Sequence, residues 1–112
     1  MKLVEQSISK DELLALAKER FGDMVKAVVD IERGVMVVGG ELHADAEQRL
    51  LEHGSNQTDL WGINIYPEKP RAEWIEFDSM INIRPSQGNR SRSVEDEGIR
   101  RRIIGIVNRL TP

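Results

Sequence analysis

The chain has no cysteine, only five aromatic residues, two histidines and four prolines, and no long uninterrupted apolar run. Without cysteine there are no disulfides, no thiolate catalysis and no zinc site built on sulfur ligands, which fits a reducing compartment. A membrane-spanning helix needs about 20 mostly apolar residues, and no stretch here supplies them. Met1 runs straight into Lys2-Leu3-Val4-Glu5 rather than into a basic segment followed by an apolar one. The expectation is therefore a cytoplasmic protein with no secretory signal and no membrane association. Serine hydrolase chemistry lacks its glycine-flanked serine elbow.

What is present points to one small domain over residues 1–112. At 39% hydrophobic and 31% charged, the chain is too apolar for intrinsic disorder, and its length suits a single core. The net charge of −3 hides a step at Arg84. Residues 1–83 carry 9 basic and 16 acidic side chains, whereas residues 84–112 carry 7 arginines and 3 acids. Such polarity favours an anionic ligand or partner, or a homo-oligomer built from unlike faces.

Periodicity and capping signals predict eight elements. A strand at Lys2–Gln6 precedes a helix capped by Ser9, with Glu12 three residues on, that runs to about Phe21 before Gly22. Two β-branched runs, Met24–Glu32 and Val35–Leu42, flank Arg33-Gly34 as a hairpin, and Gly39-Gly40 allows a kink. Asp45 is the expected cap of a second helix that reaches His53. Leu60–Tyr66 and Trp74–Arg84 read as strands, the latter long and alternating, and a last helix runs from about Val94 to Leu110 with Ser93 as its cap. The expected fold is α+β, a mostly antiparallel sheet with helices on one face in the order βαββαββα, whose first six elements have a ferredoxin-like order.

Three stretches carry a family likeness: Val38-Gly39-Gly40-Glu41-Leu42-His43-Ala44-Asp45, Asp59-Leu60-Trp61-Gly62-Ile63-Asn64, and Phe77-Asp78-Ser79-Met80-Ile81-Asn82-Ile83-Arg84-Pro85-Ser86-Gln87-Gly88-Asn89. In these the chain resembles a family of short, uncharacterised bacterial proteins known only as a domain of unknown function. The resemblance implies a bacterial cytosolic protein and brings no activity, cofactor or catalytic residue with it.

Two candidate sites emerge. Arg84, Ser86, Gln87, Asn89 and Arg90 belong to a donor-rich loop that continues through Ser93 into the last helix. Guanidinium groups and free amides at a helix start favour a phosphate or carboxylate. The competing role is a solvated loop whose helix end is already neutralised by Glu95, Asp96 and Glu97. The second candidate is Glu41 and His43, alternating along a strand, with Asp78 as a further carboxylate. Imidazole beside carboxylate suits acid-base chemistry or a divalent metal. Here the competing role is structural, with His43 as a partly buried hydrogen-bonding residue.

Nucleic acid is not favoured. Arg100-Arg101-Arg102 fan out over about 200° of a helix and cannot form one patch. The expectations are thus a binding or regulatory module for an anionic ligand through Arg84–Ser93, or else an acid-base or metal-assisted enzyme using Glu41, His43 and Asp78, or a protein-protein interaction component.

Overall fold

The computed structural model describes residues 1–112 as three helices and a five-stranded antiparallel sheet. In chain order the elements are β1 (Lys2–Val4), α1 (Lys10–Arg20), β2 (Val25–Asp30), β3 (Val35–Val38), α2 (His43–Glu52), β4 (Leu60–Ile65), β5 (Ile75–Glu76) and α3 (Glu97–Leu110). Four single-turn 3₁₀ segments fill connections, among them Met80–Asn82 and Pro85–Gln87. This is the expected α+β class in the expected βαββαββα order.

Local chemistry explains the first elements. The Ser9 hydroxyl accepts the Glu12 amide at 3.1 Å and starts α1. The Glu12 carboxylate does not return that bond; it pairs with the Lys2 ammonium and ties α1 to β1. At the end of β2 the buried Asp30 carboxylate accepts the amides of Glu32 and Arg33, each at 2.9 Å, and the Ser55 hydroxyl at 2.6 Å. These bonds shape the hairpin, and Gly34 closes it with its amide on the Asp30 carbonyl.

The sheet order is β1-β3-β2-β4-β5. β1 and β2 are therefore parallel with β3 between them, and β3 and β4 are parallel with β2 between them. Both crossovers step the same way across the sheet, but their strands run in opposite directions. If both keep the usual right hand, α1 and α2 must lie on opposite faces. The packing agrees. Leu13 and Ala17 of α1 and Ile103, Val107 and Leu110 of α3 join Val25, Ala27, Val29, Met36, Trp61 and Ile63 in the larger core. Ala46 and Leu50 of α2 pack with Val28, Val35, Val37 and Leu60 on the other face. The expectation of helices on one face is corrected by this topology. In a ferredoxin-like sheet the fourth strand returns beside the first; here it pairs with β2.

The expected long strand Trp74–Arg84 is also corrected. β5 stops at Glu76, and the Ser79 hydroxyl caps a 3₁₀ turn instead. A strand cannot continue beside β4 because the chain comes in side-on. The buried Asn82 side chain accepts the Gly62 amide at 2.8 Å and donates to the Gly62 carbonyl at 2.9 Å, making both bonds a neighbouring strand would make. This approach requires glycine at 62, where a Cβ would sit 2.5 Å from the Ser79 side chain.

Two helix starts differ from expectation as well. β3 ends at Val38 because Gly39 and Gly40 take φ values of +97° and +85°, which turn the chain into α2. That helix begins at His43 after Leu42, which offers no side-chain cap, so Asp45 lies inside the first turn. α3 begins later than predicted, at Glu97, with the Asp96 carboxylate accepting the Ile99 amide at 2.9 Å; Ser93 is not its cap.

Candidate functional site

The Arg84–Ser93 loop is closed on itself. The Arg84 guanidinium donates to the carbonyls of Gln57 and Leu60 and stacks on the Trp61 ring at 4.1 Å, and its burial pushes its pKa down. Gln87 donates to the Thr58 carbonyl at 3.1 Å, while Ser86 stays on the surface. Asn89 is buried and reaches the carbonyls of Asn82, Ser91 and Ser93 while accepting the Glu95 amide. The place an anion would take is held by the chain's own Glu95. Its carboxylate accepts the amides of Arg90 and Ser91, at 2.8 and 2.9 Å, and the Ser91 hydroxyl. The Ser91 hydroxyl and these amides hold the Glu95 pKa below the usual carboxylate range. Of the five residues expected to bind a ligand, only the Arg90 and Ser86 side chains carry no hydrogen bond to protein.

The other arginines of the basic segment act mostly as staples. Arg92 pairs with Asp78 at 2.7 Å, and Arg100 donates to the Val94 carbonyl and the Ser93 hydroxyl. Arg102 and Arg109 reach the Ile31 and Gly34 carbonyls and anchor α3 to the β2–β3 hairpin. The charge step at Arg84 is therefore largely answered within the molecule.

The second candidate fares differently. His43 and Asp78 line one cleft of about 360 Å³ on the α2 face of the sheet, together with Lys26 of β2, Asn64 of β4, Glu76 of β5 and Arg92. Glu41 is not part of it; it sits exposed in the turn before α2. The alternation that paired Glu41 with His43 assumed a strand, and the helix start at His43 removes that premise. No three His, Asp or Glu side chains come together in a way that could hold a metal ion.

Each group in the cleft has a definite state. His43 is 8% exposed, and its Nε2 lies 2.8 Å from the Ile63 carbonyl, which can only accept. Nε2 thus carries the proton and Nδ1 the lone pair. Burial lowers the His43 pKa and Lys26 adds to this, outweighing the Ile63 carbonyl, Asp78 and Asn64, so the ring is neutral at pH 7. The His43 and Ala44 amides at the start of α2 find no protein acceptor, since Leu42 cannot cap them. Lys26 has no carboxylate within ion-pair distance. Asn64 donates to Glu76 at 2.8 Å and more weakly to the Asp78 carbonyl, but its buried Oδ1 has no partner.

Lys26, Asn64 and Glu76 were not among the expected site residues. A signal was available in the first two: Lys26 interrupts the apolar run of β2, and Asn64 interrupts that of β4. The similar segments Ile63-Asn64-Ile65 and Ile81-Asn82-Ile83 each place a buried asparagine that bonds to a neighbouring segment.

Two other hollows are less suited to chemistry. One of about 440 Å³ between β5 and α3 is walled by Trp74, Ile75, Phe77, Ile104 and Val107, and its single charged group, Arg71, is bound to the Thr111 carbonyl. The other, about 370 Å³, lies beside the Arg84–Ser93 loop and is bordered by Glu95 and Asp96, which would repel an anion. No helix is long and apolar enough to cross a membrane.

A family model described as "Protein of unknown function (DUF5674)" matches residues 2–110. No curated protein and no solved structure matches the chain.

Proposed function

The chain belongs to the DUF5674 family, whose description assigns no activity, and from the site itself we propose a small binding protein that takes an acid-bearing ligand, carboxylate or phosphate, in the cleft at the start of α2. The observation that carries this reading is the set of unanswered donors there. The His43 and Ala44 amides have no acceptor and Lys26 has no counter-ion. A helix N-terminus beside an ammonium is a ready anion site, and the dipole of the helix adds to it. The proposal keeps the anionic ligand expected from composition but moves it away from the Arg84–Ser93 loop, where Glu95 already occupies the donors.

Calorimetric titration of the purified protein with a panel of aliphatic carboxylates and phosphate monoesters tests this. Lys26→Ala is expected to weaken binding about tenfold, close to 1.4 kcal/mol, and Arg90→Ala to leave it unchanged. The reverse pattern would return the ligand to the loop, and a panel without any binder would remove the reading altogether.

A second reading has a specific observation behind it. A neutral imidazole with its lone pair on Nδ1 shares the cleft with Asp78, which is the protonation state a general base requires. Proton transfer on the bound ligand would then make the protein an enzyme. Its check is exchange of ligand protons for deuterium by NMR, with His43→Gln abolishing exchange while binding persists.

A further inference from the structure

We infer that the hollow between β5 and α3 is a further binding site, for a monocarboxylic acid with an apolar body. Arg71 holds the carboxylate, and the body lies against Ile75, Phe77, Ile104 and Val107. This site is separate from the cleft at the start of α2, and its ligand is independent of the acid-binding reading there.

The hollow follows from the way the sheet ends. β5 is the last strand of the sheet and has only two residues, Ile75–Glu76, so no further strand covers the apolar side chains beside it. α3 packs on the larger core through Ile103, Val107 and Leu110. Ile104 lies outside that stripe and stays 39% exposed, on the wall of the hollow. At about 440 Å³ the space is the largest of the three hollows. Small-molecule sites have this character: a mostly apolar lining with a few placed polar groups. Catalysis would need titrating groups that the hollow lacks, whereas binding needs none.

Charge decides the class of ligand. The cleft at α2 includes Glu76 and Asp78, and the hollow beside the Arg84–Ser93 loop includes Glu95 and Asp96. No carboxylate lines the hollow between β5 and α3, so its only charge is the Arg71 guanidinium. Arg71 pairs with no carboxylate elsewhere either. Its Nη2 donates to the Thr111 carbonyl and its plane rests on the Trp74 ring at 4.0 Å, while Nε and Nη1 have no protein acceptor. A guanidinium with N–H groups to spare is a fork for a carboxylate.

The stack and the carbonyl bond already hold that fork, so little side-chain freedom remains to be lost on binding. The Trp74 indole N–H is committed to the Lys69 carbonyl at 2.8 Å and adds no free donor. Besides Arg71, the lining offers only the Asn108 side chain as a polar group. One cation in an apolar wall matches one negative charge; a phosphate dianion would bring a second charge with nothing to pair it.

The experiment is a heteronuclear NMR titration of the full chain with octanoate, octan-1-ol and octylamine. Octanoate is expected to shift the Trp74 indole and the Ile104 and Asn108 amides, and to bind about tenfold more tightly than either analogue. Arg71→Gln should remove that preference, with circular dichroism verifying its fold. Ile104→Glu, at an exposed position, should weaken octanoate about tenfold or more, and Lys26→Ala should leave these shifts unchanged. Octan-1-ol or octylamine binding as tightly as octanoate would overturn the acid. Octanoate shifts confined to Lys26, His43 and Ala44 would overturn the site while supporting the acid-binding reading at α2. A dimer in light scattering that Ile104→Glu dissociates, with no octanoate shift, would give this face to a second copy and overturn the inference. Absence of any shift would overturn it too, and the panel of carboxylates and phosphates would judge the α2 cleft separately.

Discussion

The Arg84–Ser93 loop and the cleft at the start of α2 hold similar chemistry, but their hydrogen bonds are distributed in opposite ways. In the loop most donors are answered from within: Glu95 accepts two amides and a hydroxyl, Asn89 serves several carbonyls, and Arg84 grips Gln57 and Leu60, although its buried Nε has no partner. In the cleft the His43 and Ala44 amides have no protein acceptor, and Lys26 has the Phe21 ring but no carboxylate beside it. Abundance of donors in a sequence is thus a poor guide to binding; what counts is how many remain after the chain has folded. A loop without regular structure must satisfy its own backbone, and polar side chains are what it uses.

The contrast is open to attack at four points. The largest effect is expected from Asn82→Ala, which leaves the Gly62 amide and carbonyl without partners in a buried place and removes one of the two bonds to the Arg92 carbonyl, which keeps the Ser79 amide. A loss of about 3 kcal/mol should appear in urea unfolding. A loss below about 1 kcal/mol would mean that water replaces the side chain and that Asn82 does not stand in for a strand.

Next comes Arg84→Ala, which removes two bonds to carbonyls and the stacking on Trp61. It should cost about 1–2 kcal/mol of stability yet leave the affinity of a cleft ligand unchanged in titration. Weaker ligand binding at full stability would reverse the roles assigned to the two regions.

The third effect depends on pH. The folded pKa of His43 is lowered from its ordinary 6.5, so below that value the unfolded chain binds a proton that the folded chain does not. Stability is therefore expected to fall as pH drops through 6.5 toward the folded pKa, and His43→Gln should flatten this part of the profile. Denaturant midpoints measured from pH 8 to pH 5 on both proteins would show it. Parallel profiles would mean that His43 titrates as it does in the open chain.

The smallest effect belongs to Glu95→Gln. The Glu95 pKa is depressed from 4.5, so its contribution is present above that value and fades as pH falls through the folded pKa. The variant should melt slightly below the parent at pH 7, and the two should converge in acid. A difference that persists in acid would show that shape rather than charge holds the loop.

Legibility followed the range of the interactions involved. Ser9 with Glu12, the Arg33-Gly34 turn, and the apolar stripe of α3 act within a few residues, and the elements they predict are present. The strand expected at Trp74–Arg84 failed because alternation is only permission to be a strand. Ser79 and Asn82 use their side chains on Ile81, Gly62 and Arg92, and those bonds replace the ladder. His43 and Asp78 line the same cleft, whereas Glu41 was grouped with them on a strand period that Gly39 and Gly40 interrupt.

By itself the sequence determined the class of fold, the order of its elements and the concentration of arginine after residue 84, because hydrophobic period, caps and composition are properties of neighbouring residues. Only the tertiary structure decided that β4 lies beside β2, and with it that α2 crosses to the opposite face from α1 and α3. That placement brings the start of α2 against Lys26, Asn64, Glu76 and Asp78. Which polar groups stay unpaired is a balance struck over the whole chain, and it can be read only once every donor has met, or missed, its acceptor.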